Sequence, residues 1–299
     1  MALESPYLAG VDRYERAMHG WIDTPRDDAF TMNVRIVDPW VGVELVAVTT
    51  GSPAYGVQGA RGRVLVGPAD RVDPTLGDVM TGLAGISMTP GFRRRVAALT
   101  GGRAGAQYFI DAAIEVARLA RQVTRLPHPV IERHLGEGAV GAWRLDMQGW
   151  ADLPASCYTY RPESERLFAG RSVTTPMQPV LYHPPRGAAR VFNRTKVARL
   201  ERRLDRWLLA HTMFDEVHSF QVWYVVDPEA LTVVDAGALT PRLPYMGICS
   251  DVQGRVREMV GQRLDAGLRK RLGQLVGGTT GCAQLYDLTA DLLKLLTLA

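Results

Sequence analysis

The chain carries an internal repeat. Residues 75–120 lie over 251–296 without a gap at a constant offset of 176, so that "GFRRRVAALTGGRAGAQYFIDA" faces "GLRKRLGQLVGGTTGCAQLYDL". Gly91/Gly267, Arg93/Arg269, Arg95/Arg271, Gly101/Gly277, Gly102/Gly278, Gly105/Gly281 and Asp111/Asp287 are identical pairs. Repetition of glycines together with a helical apolar pattern restricts the fold to two like units packed on one another.

Each unit reads alike. An amphipathic helix carries Leu76, Val79, Met80 and Leu83 in one copy and Val252, Val256, Met259 and Val260 in the other. Thr89-Pro90 or Asp265 opens a second helix, a Gly-Gly pair suited to a left-handed cap ends it, and a third helix runs from Gly105 or Gly281. Upstream, "FTMNVRIVDP" (30–39) matches "FQVWYVVDP" (220–228), and "VELVAVTT" (43–50) matches "LTVVDAGALT" (231–240). Their alternation predicts antiparallel strands. The expected fold is α+β: two tandem pseudo-symmetric repeats, each of antiparallel strands followed by three helices. The division is 1–125 for the N-terminal repeat, 126–194 for a linker and lid-like insertion, and 195–299 for the C-terminal repeat. Residues 195–210, "TKVARLERRLDRWLLA", read as an amphipathic helix. A duplicated unit of this kind acts as a fused dimer, in which one copy can keep a site that the other loses.

Arginine supplies nearly all of the positive charge: only Lys196, Lys270 and Lys294 are lysines. Basic and acidic residues interleave, which argues against nucleic-acid binding. No apolar run has the length of a membrane span, and the N-terminus lacks the apolar core of a secretory signal. A cytoplasmic protein, monomer or homodimer, is the expectation. Cys157, Cys249 and Cys282 are widely spaced with no CxxC, which predicts neither a disulfide framework nor a structural zinc site.

The densest titratable cluster is "HTMFDEVH", from His211 to His218 with Asp215 and Glu216 between. On a strand Glu216 and His218 share a face. His218 is the candidate base, Asp215 or Glu216 its orienting carboxylate, and Tyr245 an acid or oxyanion donor. The plain alternative is a polar turn. "WIDTPRDDAF" offers Asp23, Arg26, Asp27 and Asp28, of which Asp23, Arg26 and Asp28 are substrate-binding candidates; a salt-bridged surface turn is the other reading. Tyr55 and Tyr245 sit in matching proline turns, and His183 and Arg186 in "YHPPRG" are candidates on the insertion. Cys282 starts a helix, where the dipole lowers a thiol pKa, although the other copy has Ala106 there. "GVQGARGRVLVG" could cradle phosphate, but lacks Walker or dinucleotide spacing.

In the C-terminal copy, Gly267-Leu268-Arg269-Lys270 followed by Gly281-Cys282-Ala283-Gln284-Leu285 resembles an uncharacterised bacterial domain-of-unknown-function family whose members end in Gly-Trp-Arg-Arg and Gly-Cys-Thr-His-Leu. "DAGALTPRLPYMGIC" (235–249) and "GWIDTPRDDAF" (20–30) are similar to its Pro-Tyr segment and opening strand. Gln284 stands at the motif histidine, with Tyr108 in the other copy. The resemblance implies a fold and almost no chemistry.

With no cofactor motif, these features predict an enzyme without cofactor, of lyase, isomerase or cyclase type, that uses acid–base chemistry on a small, partly apolar molecule at the seam between copies. The alternatives are a non-catalytic small-molecule-binding module, and a metal-dependent hydrolase or lyase using His211 and His218.

Overall fold

In the computed structural model, which describes residues 3–25, 29–134 and 136–296, eight strands form one antiparallel sheet. The strands are β1 (Arg13–Thr24), β2 (Phe30–Val37), β3 (Gly42–Thr49), β4 (Val57–Val66), β5 (Ala188–Arg203), β6 (Arg206–Asp215), β7 (Ser219–Asp227) and β8 (Thr232–Arg242). Their order is β4-β3-β2-β1-β5-β6-β7-β8, so β1 and β5 make the central pair and each half extends outward from it by hairpins. The fold is α+β, as expected.

Alternate residues of β1, β3, β5, β6 and β7 are buried on one face. Met18 of β1, Val34 of β2, Lys196 and Ala198 of β5 and Met213 of β6 point into a helical layer, while Ala17, Thr195, Thr212 and Phe214 face away and are exposed. The N-terminal half contributes α1 (Leu76–Val79), continued as a 3-10 turn to Leu83, then α2 (Phe92–Thr100) and α3 (Ala106–Leu119). Residues 126–187 hold α4 (His128–His134), α5 (Gly138–Gly149) and α6 (Pro179–Tyr182). The C-terminal half contributes a 3-10 segment (Cys249–Met259), α7 (Leu268–Leu275) and α8 (Ala283–Leu293).

The repeated glycines have a steric cause. A Cβ on Gly105 would stand 2.8 Å from the Arg71 carbonyl, and one on Gly281 would stand 2.2 Å from that of Val276. In both halves the third helix therefore starts with its backbone pressed against the preceding loop. Gly101, with φ 59, is the left-handed cap that the Gly-Gly pair predicts.

Residues 195–210 are not a helix. They form the second half of β5 and the first half of β6, joined at Leu204-Asp205, with Leu204 at φ 47 and fully exposed. Val197, Leu200, Leu204 and Leu208 do recur at helical spacing. The inward residues of β5, however, include Arg194 and Lys196, whose charge hides the period-2 signal. "GVQGARGRVLVG" is likewise the edge strand β4 rather than a phosphate loop. A Cβ on its Gly62 would stand 2.7 Å from the Phe109 ring.

Two apolar clusters fill the helical side, one under β1–β4 with α3 and the other under β5–β8 with α8. Between them, α3 and α8 meet through buried charge. Arg118 reaches Asp291 at 2.6 Å and Asp287 at 2.9 Å, and also pairs with Glu115. Lys294 reaches Asp111 at 3.0 Å and Asp291 at 2.7 Å. From the sheet below, Arg16 binds Asp111 at 2.9 Å and Lys196 binds Glu115 at 2.7 Å.

Removing one member of such a network strands its partners in a low dielectric. Asp291→Ala leaves Arg118 and Lys294 short of a counter-charge and is expected to lower stability by about 3–5 kcal/mol. Asp287→Ala, at a more exposed position, is expected to cost about 1 kcal/mol or less. Urea unfolding of both variants checks this, and equal losses would contradict it.

Candidate active site

A cavity of about 120 Å³ opens where the C-terminal end of α3, α5 and its following loop, the β6–β7 hairpin and the start of α8 converge. Its wall is mostly apolar, including Trp150, Leu153, Met177, Phe220 and Leu243, with His218, Asp146, Arg121, Gln122 and Gln284 among the polar members.

His218 owes its position to Asp215, the last residue of β6. The Asp215 carboxylate accepts the backbone N–H of Val217 at 2.8 Å and of His218 at 2.6 Å, closing the hairpin turn. It also lies 3.1 Å from His218 Nδ1 and accepts from Arg194 Nε at 2.8 Å. Both Asp215 and Arg194 are fully buried. Burial would raise the Asp215 pKa, but the charges and hydrogen bonds of His218 and Arg194 outweigh it and hold the carboxyl well below the usual range. With Nδ1 directed to Asp215, Nε2 is the imidazole nitrogen left to take a proton.

Asp146 has the opposite environment. Its side chain projects from α5, is wholly buried, and accepts hydroxyl protons from Tyr182 at 2.7 Å, Tyr160 at 2.8 Å and Tyr245. Desolvation dominates and pushes its pKa up to about 6, with the three hydroxyls pulling it partly back.

Cys157, Cys249 and Cys282 come from three distant segments and all line this cavity. Burial pushes all three thiols up, Cys282 to about 11. At Cys282 this reverses the expected dipole effect, because the thiol loses more in desolvation than the amides of Gln284 and Leu285 return.

The other sequence candidates fall in different places. Glu216 is not beside His218 on a strand, because 216–218 make a turn in which alternation fails. Its carboxylate accepts the backbone N–H of Asn193 at 2.9 Å and lines a separate surface cleft. Tyr245 lies behind the cavity wall, its hydroxyl directed to Asp146. Tyr55 donates to Asp152 at 2.7 Å, and Asp152 in turn holds Arg121 of the wall at 2.6 Å. Asp23 accepts from Asn33 at 2.9 Å and from the Arg190 backbone at 2.8 Å, on the sheet face away from the helices. Arg26, Asp27 and Asp28 lie outside the described residues. His183 packs on His128 with its Nδ1 at 2.8 Å from the Leu126 carbonyl, and Arg186 is exposed in the turn before β5; neither lines the cavity.

His211 and His218 do not converge. His211 is buried in a second, smaller cavity with Lys196 and Asp291, its Nδ1 3.0 Å from the Leu288 carbonyl, and burial lowers its pKa to about 4. Among the described residues no group of three or more His, Cys, Asp or Glu has a geometry that could hold a metal ion.

Asp146, Tyr160 and Tyr182 are the residues that sequence reasoning missed. A signal existed: Trp143, Asp146 and Trp150 stand at i, i+3 and i+7, placing a carboxylate on an apolar helix face.

Residues 202–297, from the end of β5 through α8, match the model of a family described as "Protein of unknown function (DUF2889)". No curated protein and no solved structure matches the chain. No helix among the described residues is long and apolar enough to cross a membrane.

The Asp146 environment predicts a pH dependence of stability. Its folded pKa of about 6 lies above the ordinary aspartate value of 3.8, so the folded state binds the proton more tightly and its stability contribution is lost as pH rises from about 4 through 6. Relative to Asp146→Asn, wild type is expected to lose on the order of 3 kcal/mol between pH 4 and 7. Urea titrations at several pH values measure the difference; a difference independent of pH would refute the assignment.

Proposed function

We propose that the protein is an enzyme of lyase, isomerase or cyclase type that moves protons on a small, partly apolar molecule in the cavity faced by His218. The observation that carries this reading is the buried Arg194–Asp215–His218 chain ending at a mainly apolar cavity. Asp215 fixes the imidazole and stays ionised, so that Nε2 serves as base. Asp146, with a pKa near 6, is suited to carry the complementary proton as acid, and Tyr245 acts through it as a positioning residue. A cavity of about 120 Å³ is close to the size that admits a single benzene-like ring.

Internal duplication supports a single site. Asp111, Glu115 and Arg118 stand at the repeat offset from Asp287, Asp291 and Lys294, and their ion pairs are reciprocal: Arg118 with Asp287, Lys294 with Asp111. Yet Cys282 and Gln284 face the cavity, while their counterparts are Ala106 and a Tyr108 whose hydroxyl binds Asp38. One copy holds chemistry and the other scaffold.

Proton exchange tests the reading. The protein is incubated in D₂O with a panel of small cyclic ketones and 1,3-dicarbonyl compounds, and loss of the α-proton signal is followed by NMR. At least one compound is expected to exchange roughly 100-fold or more faster with wild type than with His218→Ala. Full exchange by His218→Ala would remove His218 as the base. The mainly apolar wall also fits a non-catalytic binding module, which would retain an intact small molecule in native mass spectra and exchange none of the panel.

A further inference from the structure

The basic triplets of the two repeated helices divide their roles in the same way. α2 carries Arg93, Arg94 and Arg95, and α7 carries Arg269, Lys270 and Arg271. The third member of each is tied back to the turn before its own helix. Arg95 donates to the Ser87 carbonyl at 2.7 Å, and Arg271 donates to that of Arg263 at 2.8 Å and to Asp265 at 3.0 Å. The first members, Arg93 and Arg269, have no hydrogen-bond or ion-pair partner among the described residues, and both line one cleft of about 300 Å³.

That cleft lies at the end of the α3–α8 pair opposite to the His218 cavity. Leu293 and Leu296 give it an apolar part and Gln107 an amide, and no acidic side chain lines it among the described residues. Lys294 also lines it, but its ammonium already binds Asp111 and Asp291. Two guanidinium groups from opposite halves of the chain therefore share a concave surface without a counter-charge. Each can present a planar pair of N–H donors, the geometry that matches the O–P–O edge of a phosphate. A dianion balances the two charges, and the leucines offer contact to an organic substituent.

We propose that this cleft is a binding site for a phosphomonoester, gripped between Arg93 and Arg269, with its organic part against Leu293 and Leu296. The site is separate from the proposed acid–base chemistry, and its test needs no substrate.

The test is isothermal titration of the full chain with phenyl phosphate and, separately, inorganic phosphate, at constant ionic strength set with sodium chloride. Wild type is expected to bind phenyl phosphate, and more tightly than inorganic phosphate. Arg93→Ala and Arg269→Ala are each expected to weaken phenyl phosphate at least tenfold. Arg94→Ala, on the same helix and outside the cleft, is expected to leave the affinity within twofold of wild type. All three side chains are exposed, so unfolding curves without ligand should coincide with wild type and show that any loss is one of binding. No binding above the chloride background, or an equal loss in Arg94→Ala, would overturn the site. Inorganic phosphate binding as tightly as phenyl phosphate would overturn the ester and leave a free-anion site.

Discussion

The contact between α3 and α8 is ionic, and the placement of both cavities follows from it. The pairing of Arg118 with Asp287 and of Lys294 with Asp111 runs the two helices antiparallel, with each C-terminal end against the other's N-terminal end. Apolar packing tolerates sliding, because a leucine is nearly as content one turn along. Buried charges do not, since a displaced partner leaves a charge unpaired at a cost of several kcal/mol. Arg16 from β1 and Lys196 from β5 anchor the same network to the central strand pair. Register between the halves is thereby fixed at sheet and helices together. At one end of the pair, Arg121 and Gln122 line the cavity together with Cys282 and Gln284; at the other, Gln107 and Lys294 both line the basic cleft.

The parts of this fold legible in the sequence are those where a pattern stays local. The Gly-Gly stop and the third helix of each repeat are visible because each has an unambiguous steric or capping requirement, as at Gly101, Gly105 and Gly281. The β5–β6 hairpin resembles a helix in sequence because Arg194 and Lys196 point inward to Asp215 and Glu115, partners that only the folded sheet supplies. The sequence match sets β3 against β8, whereas in the sheet order β4 and β8 are the two edge strands. Short alternating strands resemble one another too closely for sequence to resolve a slip of one.

The candidate site was legible only in part for a related reason. His218 and Asp215 are three residues apart, so a turn could be expected to join them, and the carboxylate closes that turn through two backbone amides. Asp146 lies on a helix in the segment read as a lid-like insertion, and its environment depends on Tyr160, Tyr182 and Tyr245 from three other places. The meeting of all three cysteines at one cavity is equally non-local. Their spacing holds no CxxC motif and says nothing about convergence.

Asp146, in the cavity wall, and Asp215, behind His218, show how one small protein can hold two buried carboxylates in opposite states. Both are buried, so desolvation pushes both upward, and what differs is the partner. Asp215 has the imidazole of His218, the guanidinium of Arg194 and two backbone amides around it, which together reverse the shift. Asp146 has three neutral phenols, which donate hydrogen bonds but bring no charge, and the raised pKa survives. At Asp146 the three phenol hydrogen bonds do not offset complete desolvation and the carboxyl stays near 6, whereas the ion pair with Arg194 helps to hold Asp215 as an anion. The difference between the two aspartates follows from whether the side chains packed around each are charged.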